Sequence, residues 1–512
     1  MSDAEGRIYL IGAGPGDPEL ITLRGMRLLK ACDAVIYDHL APDELVVLMP
    51  REVEKHYVGK QAGSHVLPQS EINNLMLRLA REGKLVARLK GADPLVFGRG
   101  GEEARFLREH NVAFEIVPGV TAAVGAAAYT GIPCTDREKA SFVVFATGHK
   151  AVDSSRPAVP WEKLAQLEGG SLSVYMGVGE IESIVEKLIN AGMPADTPAA
   201  VIERATMPTQ RRFVGTVAGL PAMVNDNNVK PPALFVVGDV VKLHEQLDWF
   251  GQGPLHGLRI LVLRPSDQGG NLYQALRDYG AEVMPYPSIA TEERVDERAW
   301  ATYQSIDCEE RWLIFTSENG VRYFMQQFAD RVGDIRKLSA FKIAAIGFGT
   351  VRALKSHCLT TDFVPGVATV KGLVTELVVN FDWSCASVVR VQGNLSDSTV
   401  PDALTGAGAE VIPMEVYRTY YPEWPIGFKR KLLQTPPNAI LFSSGSTADG
   451  LRAILNDEEF RRVTVKAQIV SIGPSTSRII ESHGLKVTLE AKEHSVPGLV
   501  QELVAFYRSQ GK

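Results

Sequence analysis

The first 250 residues alternate short apolar runs with segments of helical periodicity. We predict buried strands at residues 7–11, 34–37 and 85–89, because each run is short, mainly apolar and followed by turn residues. Residues 19–31 have the apolar spacing of a helix. The same kind of run marks three later strands, near 173–178, 201–206 and 233–239. Strands that alternate with helices predict an α/β fold.

Glycine-rich turns follow several of these strands. Residues 12–17 read GAGPGD, and residues 90–103 read KGADPLVFGRGGEE. Glycine lets the backbone approach a ligand closely, while the charged side chains of the second turn can converge on it. The alternative is a turn and a helix N-terminus with two acids in its first turn and no ligand. A third turn, VPGVTAA at 117–123, places Thr121 where it can cap a helix.

The strand-turn-helix-strand pattern of residues 7–38 is typical of dinucleotide-binding folds. Its fingerprint requires a third glycine where Asp17 stands, and Pro15 and Pro18 remove amides that a pyrophosphate would use. The mismatch disfavours a nicotinamide or flavin cofactor, so an NAD-dependent oxidoreductase is the weaker alternative.

Composition restricts the class of protein. A chain of 512 residues is too long for one core, so several domains are expected. The net charge of −6 argues against a nucleic-acid binder, although residues 51–100 hold nine Lys and Arg against five Asp and Glu and suit an acidic substrate. The five scattered cysteines and ten histidines form no metal-binding pattern, so we expect a reducing cytoplasm and no metal. Residues 116–135 are uncharged but interrupted by Gly and Pro, so we expect no membrane span.

A linker punctuated by glycine and proline, at residues 251–257, separates two halves, and we expect each half to fold alone. The second half has an internal repeat. LIFTS at 313–317 recurs as ILFSS at 440–444, and IGFGT at 346–350 recurs as IGPST at 472–476, with offsets of 127 and 126 residues. The repeat predicts two similar α/β lobes facing each other across a cleft. Their Ser- and Thr-rich turns at helix N-termini suit carboxylates.

The first half resembles uroporphyrinogen-III C-methyltransferase over about residues 6–245, through the motifs GAGPGDPELITLRG, VIYD, VGKQAG, RLKGADPLVFGRGGEE, VPGVTAA and SVYMGV. The resemblance implies a domain at 1–250 with two α/β subdomains (about 1–118 and 119–250), S-adenosylmethionine between them, and a homodimer. It implies that the cofactor is contacted by Pro15, Gly91, Ala92, Asp93, Val96, Thr121, Ala122, Met176 and Ala205.

The resemblance also assigns roles in catalysis. It makes Asp38 the proton acceptor and Lys60 a proton donor, and it places Arg99 and Glu102 beside the substrate. The chemistry agrees, because a pyrrole carbon that takes an activated methyl group must then lose a proton to a nearby base. Alternatives without a ligand remain: Asp38 as a turn residue, Lys60 as a surface lysine, and Arg99 as half of an ion pair with Glu102 or Glu103.

Three of the predicted cofactor positions hold an unexpected type of residue. Ala92 and Ala205 stand where the family usually has Gly, and the added methyl is tolerable if the backbone φ there is negative. Met176 is the third, because methionine more often fills a core than contacts a cofactor.

The second half, residues 258–512, resembles uroporphyrinogen-III synthase through LIFTSENGV, IAAIGFGT, EVYR, ILFSSGST and VSIGPSTS. That family closes hydroxymethylbilane with inversion of one ring and uses no cofactor. Tyr417 matches a family Tyr proposed to assist loss of the hydroxyl, and a half-buried core Tyr is the alternative. Candidate carboxylate contacts, which could equally be helix caps, are Thr316, Ser317, Ser443, Ser444, Ser446, Ser475 and Thr476.

The two resemblances predict a cytoplasmic bifunctional enzyme of tetrapyrrole synthesis. The second half would supply uroporphyrinogen III, and the first would methylate it twice to precorrin-2, for sirohaem or cobalamin. We expect small tetrapyrrole substrates as partners, with no nucleic acid and no membrane. An alternative makes the second half a non-catalytic tetrapyrrole sensor, because two lobes around a cleft also describe binding proteins.

Overall fold

The computed structural model describes residues 6–59, 67–148, 158–166 and 168–511. The chain forms two compact units, one of Met1–Ser288 with Glu423–Lys512 and the other of Ile289–Pro422. The second unit is therefore an insertion in the first. The predicted domains at 1–250 and 258–512 are defined by the activity expected of each, whereas these two units are defined by contacts. The predicted division therefore stays a prediction.

The first unit begins with a parallel sheet of strand order β3-β2-β4-β1-β5. Its strands are β1 (Arg7–Gly12), β2 (Ala34–Tyr37), β3 (Glu54–Tyr57), β4 (Leu85–Lys90) and β5 (Ala113–Val117). Its helices are α1 (Leu23–Ala31), α2 (Asp43–Val47), α3 (Gln69–Arg81) and α4 (Gly100–Glu109). The three predicted strands are confirmed. Because β1 and β4 are central neighbours, their glycine turns meet at the carboxyl edge of the sheet, where α/β proteins bind ligands.

A mixed sheet follows, of order β6-β7-β10-β8-β9, in which β10 runs antiparallel to β7 and β8. Its strands are β6 (Phe142–Thr147), β7 (Gly170–Tyr175), β8 (Pro198–Glu203), β9 (Arg211–Thr216) and β10 (Ala233–Val237). The helices around it are α5 (Ala122–Thr130), α6 (Trp161–Leu164), α7 (Ile181–Asn190), α8 (Leu220–Asp226) and α9 (His244–Leu247). The uncharged stretch 116–135 is a strand end, a turn and a short helix, as predicted. In the described part of the chain, no helix has the length and apolarity to cross a membrane.

The rest of the first unit is a parallel sheet of order β12-β11-β18-β19-β20. Its strands are β11 (Arg259–Val262), β12 (Glu282–Pro285), β18 (Ala439–Phe442), β19 (Gln468–Ser471) and β20 (Leu489–Glu490). The helices are α10 (Ser266–Asp278), α16 (Ile426–Gln434), α17 (Gly445–Ile454), α18 (Asp457–Thr464), α19 (Pro474–Ser482) and α20 (Val496–Ser509).

The second unit holds a sheet of order β13-β17-β16-β14-β15, parallel except for the edge strand β13. Its strands are β13 (Ala290–Glu293), β14 (Glu310–Phe315), β15 (Lys342–Ala345), β16 (Ala386–Gly393) and β17 (Glu410–Tyr420). The helices are α11 (Glu297–Ser305), α12 (Glu318–Arg331), α13 (Gly347–Ser356), α14 (Val370–Asn380) and α15 (Thr399–Gly406).

Each copy of the sequence repeat contributes strands to both of these last two sheets. The first copy supplies β12 to one sheet and β14 and β15 to the other, whereas the second copy supplies β17 to the second unit and β18 and β19 to the first. Two α/β lobes are present as predicted, but each combines strands from both copies, because the chain enters the second unit after β12 and leaves it before β18.

One apolar cluster in the first unit contains residues from both sides of the linker. Val35 and Leu89 of the first sheet belong to the same buried cluster as Leu261, Tyr286 and Phe428. Helix α2 packs against β12. Residues before and after the linker therefore share a core. That each half folds alone stays a prediction, because a half expressed by itself would expose part of this core.

Candidate functional site

The turns after β1, β4 and β5 touch one another. Gly14 and Ala92 exchange backbone hydrogen bonds, with N···O distances of 2.7 and 3.3 Å. A Cβ atom on Gly12 would lie 2.6 Å from the carbonyl oxygen of Ala92 and 2.7 Å from Gly119, so this approach requires glycine. At Gly91 a Cβ would lie 2.5 Å from Cβ of Leu40, in the turn that follows β2.

Asp93 ties two of these turns together through its carboxylate. Its Oδ1 accepts hydrogen bonds from the amides of Leu95 and Val96 at 2.8 and 3.2 Å, and its Oδ2 accepts one from the amide of Gly119 at 3.0 Å. Asp93 thus organises the predicted site. Its direct contact with a cofactor stays a prediction.

The turn after β8 contacts the turn after β1. The amide of Asp17 donates to Oγ1 of Thr206 at 3.0 Å, and a Cβ on Gly125 would lie 2.5 Å from Cγ of Pro15. Val96, Ala122 and Ala205 pack against one buried cluster, which includes Tyr175. The structure therefore brings together cofactor positions that are distant in sequence.

Tyr175, at the end of β7, replaces Thr121 as the cap of α5. Thr121 occupies the N-cap position, but its side chain accepts no bond from the helix. The amide of Ala123 donates to the phenol oxygen of Tyr175 at 2.9 Å, and the Thr121 hydroxyl lies 2.8 Å from the same oxygen. The predicted capping role of Thr121 is wrong, because a phenol from another strand reaches the helix end. Burial raises the pKa of Tyr175.

Backbone strain is concentrated around this site. Positive φ values occur at Ala92 (57°), Phe97 (54°), Arg99 (60°), Met176 (55°), Arg204 (53°) and Thr206 (67°). Each costs a non-glycine residue about 1 kcal/mol. The condition stated for tolerating alanine, a negative φ, is met at Ala205, which has no positive φ. It is not met at Ala92, where alanine stands in a conformation that favours glycine. Such strain is typical of functional sites.

Apolar side chains are exposed at the same place. Met176 is 53% exposed, and Leu40, Leu95 and Phe97 are also exposed. The alternative of Met176 as core filler is therefore wrong. Exposed apolar groups beside strained loops suit a ligand with an apolar body, and an adenosyl group has one, so these residues fit S-adenosylmethionine.

Asp38 belongs to a buried charge network that the sequence did not reveal. Its Oδ2 lies 3.3 Å from Nη2 of Arg88, and its Oδ1 accepts from the amide of Leu40 at 3.0 Å. Arg88 and Lys90, both on β4, lie 3.2 and 3.0 Å from the carboxylate of Glu103, which is fully buried. Burial lowers the pKa of Lys90, and Arg88 adds to that effect while Glu103 opposes it.

The signal for this network was present in the apolar run 85–90. Arg88 and Lys90 are two positions apart, so they project from one face of a central strand. Buried charges are retained only when they are paired, which points to a carboxylate such as Glu103 above the sheet.

The remaining methyltransferase candidates are less enclosed. Nη2 of Arg99 lies 2.7 Å from Oε2 of Glu102, and both side chains are about half exposed. The ion pair foreseen as an alternative role of Arg99 is thus present, and contact of these residues with a substrate stays a prediction. Lys60 lies outside the described residues.

Tyr417 lies on β17 in the second unit. Its hydroxyl is 3.2 Å from Oγ of Ser317, which caps α12 by accepting from the amide of Gly320 at 3.0 Å. Its ring stacks on that of Tyr323 at 5.7 Å, and burial raises its pKa. Tyr417 is therefore half-buried with its hydroxyl beside a serine, while the neighbouring Thr316 is partly exposed.

The other synthase candidates lie in the first unit. Oγ of Ser444 is 2.9 Å from Oγ of Ser446 at the start of α17, and Ser443 is partly exposed beside them. At the start of α19, Ser475 is exposed and Thr476 is buried. Their role as carboxylate contacts stays a prediction. A cavity of about 310 Å³, lined by Ser305, Cys308, Cys385 and their neighbours in the second unit, contains none of the predicted site residues.

Comparison with known proteins assigns the two halves. The family of Tetrapyrrole (Corrin/Porphyrin) Methylases matches residues 7–221, and Uroporphyrinogen-III synthase HemD matches residues 271–501. The chain is 35% identical over 501 residues to the porphyrin biosynthesis protein HemD of Ruminiclostridium josui, with 98% of each chain covered. The chain belongs to this family of porphyrin biosynthesis proteins. It is a fusion of a tetrapyrrole methylase and a uroporphyrinogen-III synthase, and the predicted fold class is confirmed.

Further relatives match the methylase half of this porphyrin biosynthesis protein. The S-adenosyl-L-methionine-dependent uroporphyrinogen III methyltransferase of Methanosarcina barkeri is 47% identical over 48% of this chain and 96% of its own. Uroporphyrin-III C-methyl transferase of Thermus thermophilus, solved with S-adenyl homocysteine, is 40% identical over 46% of this chain and 94% of its own, with a TM-score of 0.40. The chain spans about half the length of the siroheme synthases that it matches.

The predicted alternative of an NAD-dependent enzyme also lacks the expected geometry. In dinucleotide-binding folds the glycine turn leads directly into a helix whose N-terminus holds the pyrophosphate. Here α1 begins at Leu23 with Thr22 as its N-cap, and a short 3₁₀ turn capped by Asp17 separates it from the glycine turn.

Proposed function

We propose that this protein performs two consecutive reactions of tetrapyrrole synthesis. One is closure of hydroxymethylbilane to uroporphyrinogen III with inversion of one ring, and the other is double methylation of that product to precorrin-2. The observation that supports methylation most strongly is the ring of turns after β1, β4, β5, β7 and β8, with its strained backbone and exposed apolar side chains.

The cofactor site of this proposal lies inside that ring. S-adenosylmethionine would supply a methyl group activated by its sulfonium. Pro15, Gly91, Ala92, Thr121 and Ala205 contribute the turns that hold it, and Val96, Ala122 and Met176 contribute apolar surface. Asp93 keeps two of these turns in place through its three backbone bonds.

Asp38 would take up the proton that the methylated ring carbon loses. It stands at the end of β2, and its Oδ2 is oriented by Arg88, which Glu103 holds in turn. A general base must reach the proton directly or through one water, and a carboxylate that is partly exposed and held in place by Arg88 and the amide of Leu40 meets that condition. Arg99 and Glu102, about half exposed at the start of α4, would contact the substrate carboxylates and pyrrole groups.

Ring closure is assigned to residues 258–512. Tyr417 would donate a hydrogen bond to the departing hydroxyl, because its raised pKa keeps the phenol protonated at neutral pH. The serine and threonine hydroxyls at the starts of α12, α17 and α19 would bind substrate carboxylates together with helix N-termini.

The decisive experiment for the second half supplies the full chain with hydroxymethylbilane alone. An active synthase yields uroporphyrinogen III faster than the spontaneous reaction, which gives the isomer without ring inversion. A tetrapyrrole sensor would bind the linear substrate and leave the product distribution unchanged. Tyr417→Phe should slow enzymatic closure and leave methylation of added uroporphyrinogen III intact.

Assembly and location complete the proposal. We propose a homodimer formed through residues 1–250, on the resemblance to the methyltransferase family, and sedimentation of the full chain tests it. We also propose a cytoplasmic location, which is supported by five cysteines that remain free.

A further inference from the structure

The segment after the linker contacts the candidate cofactor loop of the methyltransferase. Glu282, the first residue of β12, is buried, and its carboxylate oxygens lie 2.9 and 3.0 Å from Nη2 of Arg204. The hydroxyl of Thr209 donates to the same carboxylate at 2.9 Å. The amide of Gly257 donates to the carbonyl of Pro208 at 3.1 Å.

This loop has a conformation that requires support. Arg204 and Thr206 both have positive φ, and the predicted cofactor contact Ala205 lies between them. The hydroxyl of Thr206 accepts from the amide of Asp17, so the loop also holds the glycine turn after β1. Strained conformations persist only where surrounding contacts impose them. For residues 204–209, a buried carboxylate from the synthase segment is one such contact.

The start of helix α2 in the methyltransferase is also held by residues of the synthase half. Asp43, five residues after the candidate base Asp38, accepts from the hydroxyl of Tyr286 and from Nζ of Lys431, both at 2.7 Å. Glu44 pairs with Arg277 of α10. The loop 204–209 and the start of α2 are therefore both attached to the synthase part of the first unit by buried or half-buried polar and charged groups.

We propose that Glu282 is a positioning residue for methylation, through which the synthase segment holds the cofactor loop 204–209 in its binding conformation. The inference rests on the proposed methyltransferase function. Glu282 contacts Arg204 and Thr209 rather than the cofactor, so its effect reaches the site through the loop. The fusion of the two enzymes then contributes to the methyltransferase directly, because the segment carrying Glu282 belongs to the synthase half.

The test measures binding of S-adenosylhomocysteine to the full chain by calorimetry. Glu282→Gln keeps the shape and removes the charge that pairs with Arg204. We expect affinity to fall about tenfold, a typical size for coupling between distinct parts of a protein. The matched control is Glu502→Gln, which removes a carboxylate from α20, where its partner is Lys492 at 3.9 Å. It should leave the affinity unchanged.

A double-mutant cycle identifies the route of the effect. If Glu282 acts through Arg204, then Arg204→Gln and Glu282→Gln combined should weaken binding no more than the worse single variant. Additive losses would overturn the proposal. So would a Glu282→Gln protein that melts at a lower temperature but binds with wild-type affinity, because Glu282 would then be merely structural.

Two further comparisons cover the other outcomes. If Glu282→Gln fails to fold, Thr209→Val removes only one hydroxyl from the contact, and wild-type affinity in that variant would overturn the proposal. Absence of S-adenosylhomocysteine binding in the wild type would instead contradict the proposed function, so the two failures are distinguishable.

Discussion

The buried carboxylate of Glu103 provides a quantitative test of the charge network under Asp38. Glu103 is fully buried, and it lies 3.2 Å from Nε of Arg88 and 3.0 Å from Nζ of Lys90. It also accepts from the side-chain amide of Gln69 at 3.0 Å. Glu103→Gln preserves the volume but removes the ion-pair partner of buried Lys90. It leaves Arg88, on the same face of β4, with Asp38 as its carboxylate partner.

The expected loss of stability follows from this geometry. Breaking a buried ion pair by removing one partner costs about 3–5 kcal/mol. Glutamine retains an acceptor oxygen, and Lys90, whose pKa burial already lowers, can release its proton, so we expect about 3 kcal/mol, at the lower end. At roughly 2 °C per kcal/mol for a large domain, the melting temperature should fall by about 6 °C.

Differential scanning calorimetry of the full chain measures this shift. Glu102→Gln is the matched control, because Glu102 is the neighbouring residue of α4 but forms an exposed pair with Arg99. Exposed pairs contribute at most about 1 kcal/mol, so the control should shift by about 2 °C or less. Equal shifts in the two variants would refute the account of the buried network.

Two further predictions concern β4 and the turn that follows it. Asp93→Ala should weaken binding of S-adenosylhomocysteine by about 1–3 kcal/mol, because three backbone amides that hold two site turns lose their acceptor; calorimetry that shows unchanged affinity would contradict this. In the folded chain the pKa of Lys90 is lowered from 10.5, so as pH rises toward that value the unfolded chain binds more protons and stability increases. The melting temperature of the wild type relative to Lys90→Met should therefore rise as the pH approaches 10.5, and a constant difference would be evidence against a buried, pKa-shifted lysine.

Local patterns were sufficient for the strands and turns of the first sheet. The run before Gly12 and the run before Gly91 are short and apolar, and both are strands of the expected length. The specific motif sets identified both halves, as the family matches confirm. Periodicity and turn chemistry depend on neighbours in sequence, which is why these features could be predicted.

Features that depend on distant residues could not be predicted. The cap of α5 comes from Tyr175, 52 residues beyond the amide that it accepts from, and no local pattern indicates it. The pairing of Arg204 with Glu282 spans 78 residues and crosses the linker, where the sequence suggested independent halves. The positive φ of Ala92 occurs where its carbonyl oxygen lies close to Gly12 and Gly119, and these contacts exist only in the folded chain.

Product analysis shows whether both halves of this one chain are catalytic. Hydroxymethylbilane plus the full chain should yield uroporphyrinogen III, and addition of S-adenosylmethionine should convert it to precorrin-2, recognised by its absorption spectrum. With Asp38→Asn, uroporphyrinogen III should accumulate, because the methylation rate falls about 10²-fold or more when the base is lost. Ring closure without any methylation by the wild type would show that the first half is not the proposed methyltransferase. Methylation by Asp38→Asn at a rate close to that of the wild type would exclude Asp38 as the base.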